Sequence, residues 1–185
     1  MTTDHKENLF ILVKSLSKSE KRQFKLYAGR VEANQNAKFL HLFNILDRAK
    51  TYDEREILKK NFVTKQQLSN LKAHLYRQIL VSLRMNPSIQ NARMQIREQL
   101  DFATVLYQKG LYKQSLKILE KAKSIAYGFE EKYLAFEIVE LEKVIESQYI
   151  TRSMSNRAEQ LIQDASNLSE QNELCSQLSN LSLQI

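Results

Sequence analysis

Glycine, proline, cysteine and tryptophan are scarce or absent in this sequence. The 185 residues include three Gly, one Pro, one Cys and no Trp, whereas average usage would give roughly 13 Gly and about 9 Pro. Because hairpin turns and phosphate-binding loops depend on Gly and Pro, this composition disfavours nearly all β architectures and excludes a P-loop. The single Cys175 excludes an intramolecular disulfide and a metal site built from cysteines.

Long apolar runs and catalytic motifs are also missing. The apolar run at residues 9–13 is too short for a membrane span or a signal peptide, and with the lone thiol this predicts a cytoplasmic protein without a membrane partner. His5, His41 and His74 lack metal-ligand spacing, and we expect the last two to be partly buried structural residues. We therefore assign no catalytic residue, cofactor or metal, and we predict that the protein is not an enzyme.

Positive charge is concentrated in the first half of the chain. Residues 1–90 carry 17 Lys and Arg against 8 Asp and Glu, a net +9, whereas residues 91–185 carry 11 against 13, a net −2. A basic half of this kind suits an anionic partner. The alternative is that Lys and Arg act here only as good helix formers on solvated faces.

Helical periodicity runs through nearly the whole sequence and predicts an all-α fold. Pro87 stops a helix close to the point where the charge balance changes sign. We therefore predict a basic N-terminal module of about five helices in residues 1–86 and a second domain in residues 87–185. Short connections in the second domain predict antiparallel helical hairpins. Its helices are expected at residues 88–109, 111–127, 130–150, 153–169 and 171–185.

Three helix starts in the N-terminal module carry capping signals. Ser17 with Glu20, and Thr64 with Gln67, have the spacing of a capping box. Asp53 is placed to cap a short helix. These residues predict where the second, fourth and fifth helices begin.

One helical hairpin of the second domain resembles a tetratricopeptide repeat (TPR). The matching positions, small or apolar in the helices and Gly and Tyr at the turn, are Ala103, Gly110, Tyr112, Ser115, Leu119 and Ala122. In this family Gly takes the left-handed conformation at the turn, and the small residues permit close helix contact. The sequence departs from the family at Gln99, where the family has Trp, and at Tyr127, where it has Pro. The resemblance implies a short α-solenoid.

The second predicted helix has a basic face. Lys18, Lys21, Arg22 and Lys25 recur at i, i+3, i+4 and i+7. We expect all four to be solvent exposed, and they are candidate residues for binding an anion or a partner; the alternative is an ordinary solvated face. Residues 12–25 also resemble the start of uncharacterised proteins from Bacteroidetes, which implies no known chemistry.

The last predicted helix has an apolar stripe. Leu174, Leu178, Leu181 and Ile185 follow one another at steps of four, three and four, and Cys175 is expected to widen the stripe as a small core residue. Solenoids normally end in a helix with a polar outer face. We therefore expect the stripe to pack against a second copy in a homodimer, or against further hairpins of a longer repeat protein.

These features predict a non-catalytic protein–protein interaction scaffold or adaptor with a TPR-like helical groove. The alternative is a nucleic-acid-binding regulator that uses the basic N-terminal module, with the TPR-like part as a sensor or an oligomerisation unit. A helix–turn–helix in residues 53–85 would place Lys65, Lys72 and Arg77 near phosphates. Two features argue against it: no Gly lies in the turn, and apolar residues run through most of the long helix.

Overall fold

A computed structural model describes residues 4–30, 35–87, 90–148 and 156–184. These residues form nine α-helices and no β-strand, which confirms the predicted all-α fold. The chain divides into two compact units, Met1–Ile89 and Gln90–Ile185. Each unit has its own core of buried apolar side chains.

The helices of unit 1 begin at the capping residues that the sequence indicates. The N–H of Glu20 donates to Ser17 Oγ at 3.2 Å, and the N–H of Ser17 donates to the Glu20 carboxylate at 2.6 Å. Asp53 accepts from the first turn of its helix, and Thr64 forms a complete capping box with Gln67. The five helices are α1 (Asp4–Ser15), α2 (Lys18–Arg30), α3 (Gln35–Arg48), α4 (Glu54–Lys59) and α5 (Lys65–Arg84).

The core of unit 1 holds an aromatic pair and one side of α5. The rings of Phe24 and Phe43 are buried with centroids 4.7 Å apart. Leu68, Leu75 and Ile79 of α5 are buried in the same core. Because these three positions share one side of the helix, the opposite side of α5 is left in solvent.

The described residues of unit 2 form four helices. Its helices are α6 (Ala92–Gln108), α7 (Tyr112–Gly128), α8 (Lys132–Gln148) and α9 (Arg157–Ser182). The first three helices have 17 residues each, and α7 and α8 each begin twenty residues after the start of the preceding helix. Three-residue connections join these three, so that consecutive helices pack as antiparallel neighbours.

The α6–α7 and α7–α8 turns have the same hydrogen bonds. In the first turn the N–H of Gly110 donates to the carbonyl of Tyr107 at 2.9 Å, and the following N–H donates to the carbonyl of Leu106 at 2.9 Å. The second turn repeats both bonds twenty residues later at 3.2 and 2.8 Å, with Glu130 in the place of Gly110. The backbone angle φ is 73° at Gly110 and 55° at Glu130. Both turns are therefore Schellman motifs with a left-handed residue.

The prediction of two helices at residues 153–169 and 171–185 is wrong, because α9 is one continuous helix of 26 residues. Neither Gly nor Pro interrupts it, but the apolar positions move to another side of the helix. The side chains buried in unit 2 are Leu161, Ala165, Leu168 and Asn172. The later leucines, Leu174, Leu178 and Leu181, lie about 140° around the helix axis from them at 100° per residue. This change of side gives the sequence the appearance of a helix break.

Candidate functional site

The leucine stripe of α9 (Leu174, Leu178 and Leu181) is exposed. The three side chains are 53%, 66% and 59% exposed, because they lie beyond Asn172, the last residue of α9 that unit 2 buries. Ile185, the fourth predicted member, lies outside the described residues. Cys175 is exposed, so its predicted role as a core residue is wrong: it follows the last buried position of the helix.

The second half of α9 extends beyond the helix that it packs against. The amide nitrogen of Asn172 donates to the carbonyl of Lys132 at 3.4 Å, and the hydroxyl of Tyr133 donates to the carbonyl of Asn172 at 3.1 Å. Because Lys132 is the first residue of α8, α9 passes the end of α8 at this point. Residues 173–182 continue as helix for about another 15 Å, and all of their side chains are exposed.

The residues that carry the TPR resemblance lie in the α6–α7 hairpin and serve its packing. Ser115 is fully buried, and its hydroxyl donates to the carbonyl of Ala103 at 2.8 Å across the two helices. Tyr112 is half-buried with its ring 5.8 Å from that of Tyr107. The fully buried members of the set are Ala103, Ser115, Leu119 and Ala122. The small side chains allow α6 and α7 to approach closely.

A buried carboxylate joins three helices of unit 2. Glu142 of α8 is 1% exposed and forms ion pairs with Lys123 of α7 and Arg157 of α9. Arg157 also pairs with Glu146 at 2.7 Å, and Lys123 lies 4.0 Å from Asp164. Each charge in this network has an opposite charge beside it, so the ion pairs of Glu142 offset the cost of burying its charge and link α7, α8 and α9.

This network also affects Tyr127, which lines a surface cavity between α7 and α9. Burial raises the pKa of the Tyr127 hydroxyl, and the negative charges of Asp164 and Glu142 raise it further. Sequence reasoning missed the network. The sequence does contain a signal of the burial of Glu142: this residue lies four residues after Ile138 and three before Ile145, within a buried apolar stripe.

The basic face of α2 is assembled but partly neutralised. The four predicted residues, Lys18, Lys21, Arg22 and Lys25, line one shallow surface depression. The prediction that all four are exposed is wrong for Lys21, which is half-buried and pairs with Asp47 at 2.8 Å. Asp47 lies near the end of α3, which packs beside α2. Lys25 lies over the ring of Phe43, 5.6 Å from its centroid.

The histidines of unit 1 are more exposed than expected. His41 and His74 are both exposed, so their predicted partial burial is wrong. The ring of His41 still lies beside that of Phe62, with centroids 4.6 Å apart, and the ring of His74 lies beside that of Phe39, with centroids 5.5 Å apart. The side chain of His5 lies outside the described residues.

The outer side of α5 is polar and basic. Between positions 66 and 77 this side presents the exposed residues Gln66, Ser69, Asn70, Ala73 and Arg77. The sequence has no Asp or Glu between residues 57 and 97. From the sequence, Lys65 and Arg77 of this helix are expected near phosphates only in the disfavoured helix–turn–helix, and the absence of acidic residues is a further signal that the sequence alone carries.

Two details of unit 1 change the helix–turn–helix interpretation. Lys72 is not available for a phosphate, because it pairs with Glu54 at 2.9 Å and donates to the hydroxyl of Tyr52 at 3.0 Å. Burial lowers the pKa of Lys72, but these two partners outweigh burial and raise it overall. In the turn, Asn61 has φ 53°, so it supplies the left-handed conformation for which Gly was expected.

Comparison with protein families, with characterised proteins and with solved structures found no match for this chain. None of the helices in the described ranges is both long enough and apolar enough to cross a membrane. Within the same ranges, no three His, Cys, Asp or Glu side chains are grouped so that they could hold a metal ion.

Proposed function

We propose that this protein is a non-catalytic interaction scaffold that binds another protein through unit 2. The observation that carries the proposal is the leucine stripe of α9, which points away from its own unit on a helix that extends past α8. Full burial of a leucine side chain contributes about 1.5–3 kcal/mol relative to exposure. Three exposed leucines on one side of a helix therefore supply apolar anchors for a contact.

The partner surface that fits this stripe is an amphipathic helix. Leu174, Leu178 and Leu181 have the i, i+4, i+7 spacing with which helices present apolar anchors to one another. Residues 174–185 contain no charged side chain, so the rim of the contact is made of Ser, Asn and Gln. We therefore propose a partner helix with an apolar stripe and a largely uncharged rim.

The hairpins of unit 2 supply the rigid support for this surface. Their small buried residues and left-handed turns support a TPR-like interpretation of α6–α8. Consecutive helices here begin twenty residues apart, so that a repeat of two helices has 40 residues. This repeat is longer than the 34 residues of a TPR. We propose a TPR-like array with lengthened helices.

Site-specific photo-crosslinking in the source cells tests the proposal. A photoreactive amino acid replaces Leu178 in one variant and Ile162 in the matched control, because the two residues lie on the same helix and are 66% and 62% exposed. We expect one protein to be crosslinked from position 178 and not from position 162, with and without nuclease treatment. Identical products at both positions, loss of the product after nuclease treatment, or crosslinks only to second copies of this chain would contradict the proposal.

A further inference from the structure

The segment that contains α5 is strongly basic within unit 1. Residues 57–87 include six Lys and Arg and no Asp or Glu. Lys59, Lys60, Lys65 and Arg77 are exposed, and none of them takes part in an ion pair with another described residue. These four side chains therefore keep their positive charge, which suits a polyanion.

Less of the positive charge on α2 is free to bind an anion. Lys21 is neutralised by Asp47 at 2.8 Å, and Glu20 lies in the first turn of that helix. Among the described residues, the segment 57–87 therefore has four cations without an ion pair against three on α2, and it is the stronger candidate for the anion-binding surface of unit 1.

The side chains along the outer side of α5 also suit a close contact with a polyanion. Gln66 and Asn70 present amide groups, and Ser69 and Ala73 are short, so another surface can approach the helix closely. At 1.5 Å per residue, the positions from Gln66 to Arg77 span about 16 Å. The buried side of α5 fixes the direction in which all of these side chains point.

We propose that α5 of unit 1 binds double-stranded DNA, with the N-terminal half of its outer side in the major groove. The major groove of B-DNA, about 12 Å wide, admits one helix, and Asn and Gln side chains pair with adenine there. Lys59, Lys60, Lys65 and Arg77 contact phosphates, which position the helix. The left-handed Asn61 provides the turn between α4 and α5. This activity is separate from the protein binding proposed for unit 2.

Fluorescence anisotropy with a labelled, mixed-sequence 30-bp DNA duplex tests the proposal on the full chain. The first variant combines Lys60→Glu with Lys65→Glu. The matched control combines Lys18→Glu with Arg22→Glu on α2, which changes the net charge equally at exposed positions. We expect micromolar binding at 50 mM salt. The α5 variant should lose at least tenfold in affinity and show a flatter salt dependence by about one unit per lysine, while the control loses less than threefold.

Three results in this assay would overturn the proposal. They are no binding of the duplex at 50 mM salt, an equal loss in both variants, and binding of an RNA duplex as tight as that of DNA, because the major groove of A-form RNA is too narrow for a helix. Circular dichroism of each variant verifies that the fold is unchanged.

Selection from a random DNA pool tests the placement of α5 in the groove. We expect the protein to enrich a short common sequence, and Asn70→Ala to lose that enrichment while it keeps its affinity for the mixed-sequence duplex. This result follows if Asn70 contacts a base edge and the lysines contact phosphates. A pool without an enriched sequence would overturn this placement. Unchanged enrichment by a double variant that combines Asn70→Ala with Gln66→Ala would also overturn it.

Discussion

Gly110 and Glu130 occupy equivalent positions in two turns twenty residues apart, and both have a positive φ, 73° and 55°. The left-handed conformation costs a residue with a Cβ about 1–2 kcal/mol, and Gly is free of this cost. We therefore expect Glu130→Gly to stabilise unit 2 by about 1 kcal/mol, as measured by urea denaturation. A loss of stability would show that the Glu130 side chain contributes more than its backbone strain costs.

Gly110→Ala is the converse change. A Cβ at position 110 would meet no atom within 4 Å, so the expected destabilisation of about 1–2 kcal/mol comes from the backbone alone. The control is Gly128→Ala, which also adds a Cβ in open space but lies within α7 without a positive φ. We expect this control to stabilise by about 0.5–1 kcal/mol. The same sign for both changes would contradict the description of the turn.

The buried Ser115 sets the distance between α6 and α7. Ser115→Val inserts a larger, branched side chain at a fully buried position and removes the hydrogen bond to the Ala103 carbonyl. We expect a destabilisation of about 1–3 kcal/mol from overpacking. Ser115→Ala, which removes only the hydrogen bond, should cost about 1 kcal/mol. An equal effect of both changes would show that the α6–α7 contact is loose.

Glu142 is the central charge of the network in unit 2. Glu142→Gln removes the buried carboxylate that pairs with Lys123 and Arg157, and we expect the free energy of unfolding to fall by about 2 kcal/mol, the value of hydrogen bonds to a charged group. The control is Glu140→Gln, since the Glu140–Lys143 pair lies on the same helix but is partly solvated. This pair contributes about 0.5 kcal/mol or less. Similar losses in the two variants would contradict the structural role of Glu142.

Local chemistry explains which parts of the fold the sequence predicts. Ser17, Asp53 and Thr64 identify helix starts because a capping side chain bonds to backbone groups two or three residues away. The apolar spacing of α5 likewise predicts its buried side, because it depends only on the helical period.

Contacts between distant residues explain what the sequence does not predict. The burial of Glu142 depends on Lys123 and Arg157, which reach it from two other helices. The half-burial of Lys21 depends on Asp47, which lies on another helix. In α9 the apolar positions change side without a break in the backbone, and only the helices that pack against it show which side is covered.

The two proposed surfaces should respond differently to salt. Residues 174–185 carry no charge, so we expect the affinity of the protein partner to change less than twofold between 50 and 200 mM salt. Binding of the DNA duplex through α5 should weaken steeply over the same range, because bound cations are released from DNA. Titrations of both ligands at each concentration measure the difference, and a parallel response would mean that one surface binds both.

The affinity of the crosslinked partner for two matched variants tests the central claim most directly. Leu178→Gln and Ile162→Gln make the same chemical change on one helix at similar exposure, 66% and 62%, but only Leu178 belongs to the leucine stripe. Isothermal titration calorimetry should show at least a tenfold weaker Kd for Leu178→Gln, which is the loss of about 1.4 kcal/mol or more expected for an unburied leucine. Ile162→Gln should bind like the unaltered protein. Equal affinities for the two variants would contradict the claim that the stripe is the docking surface.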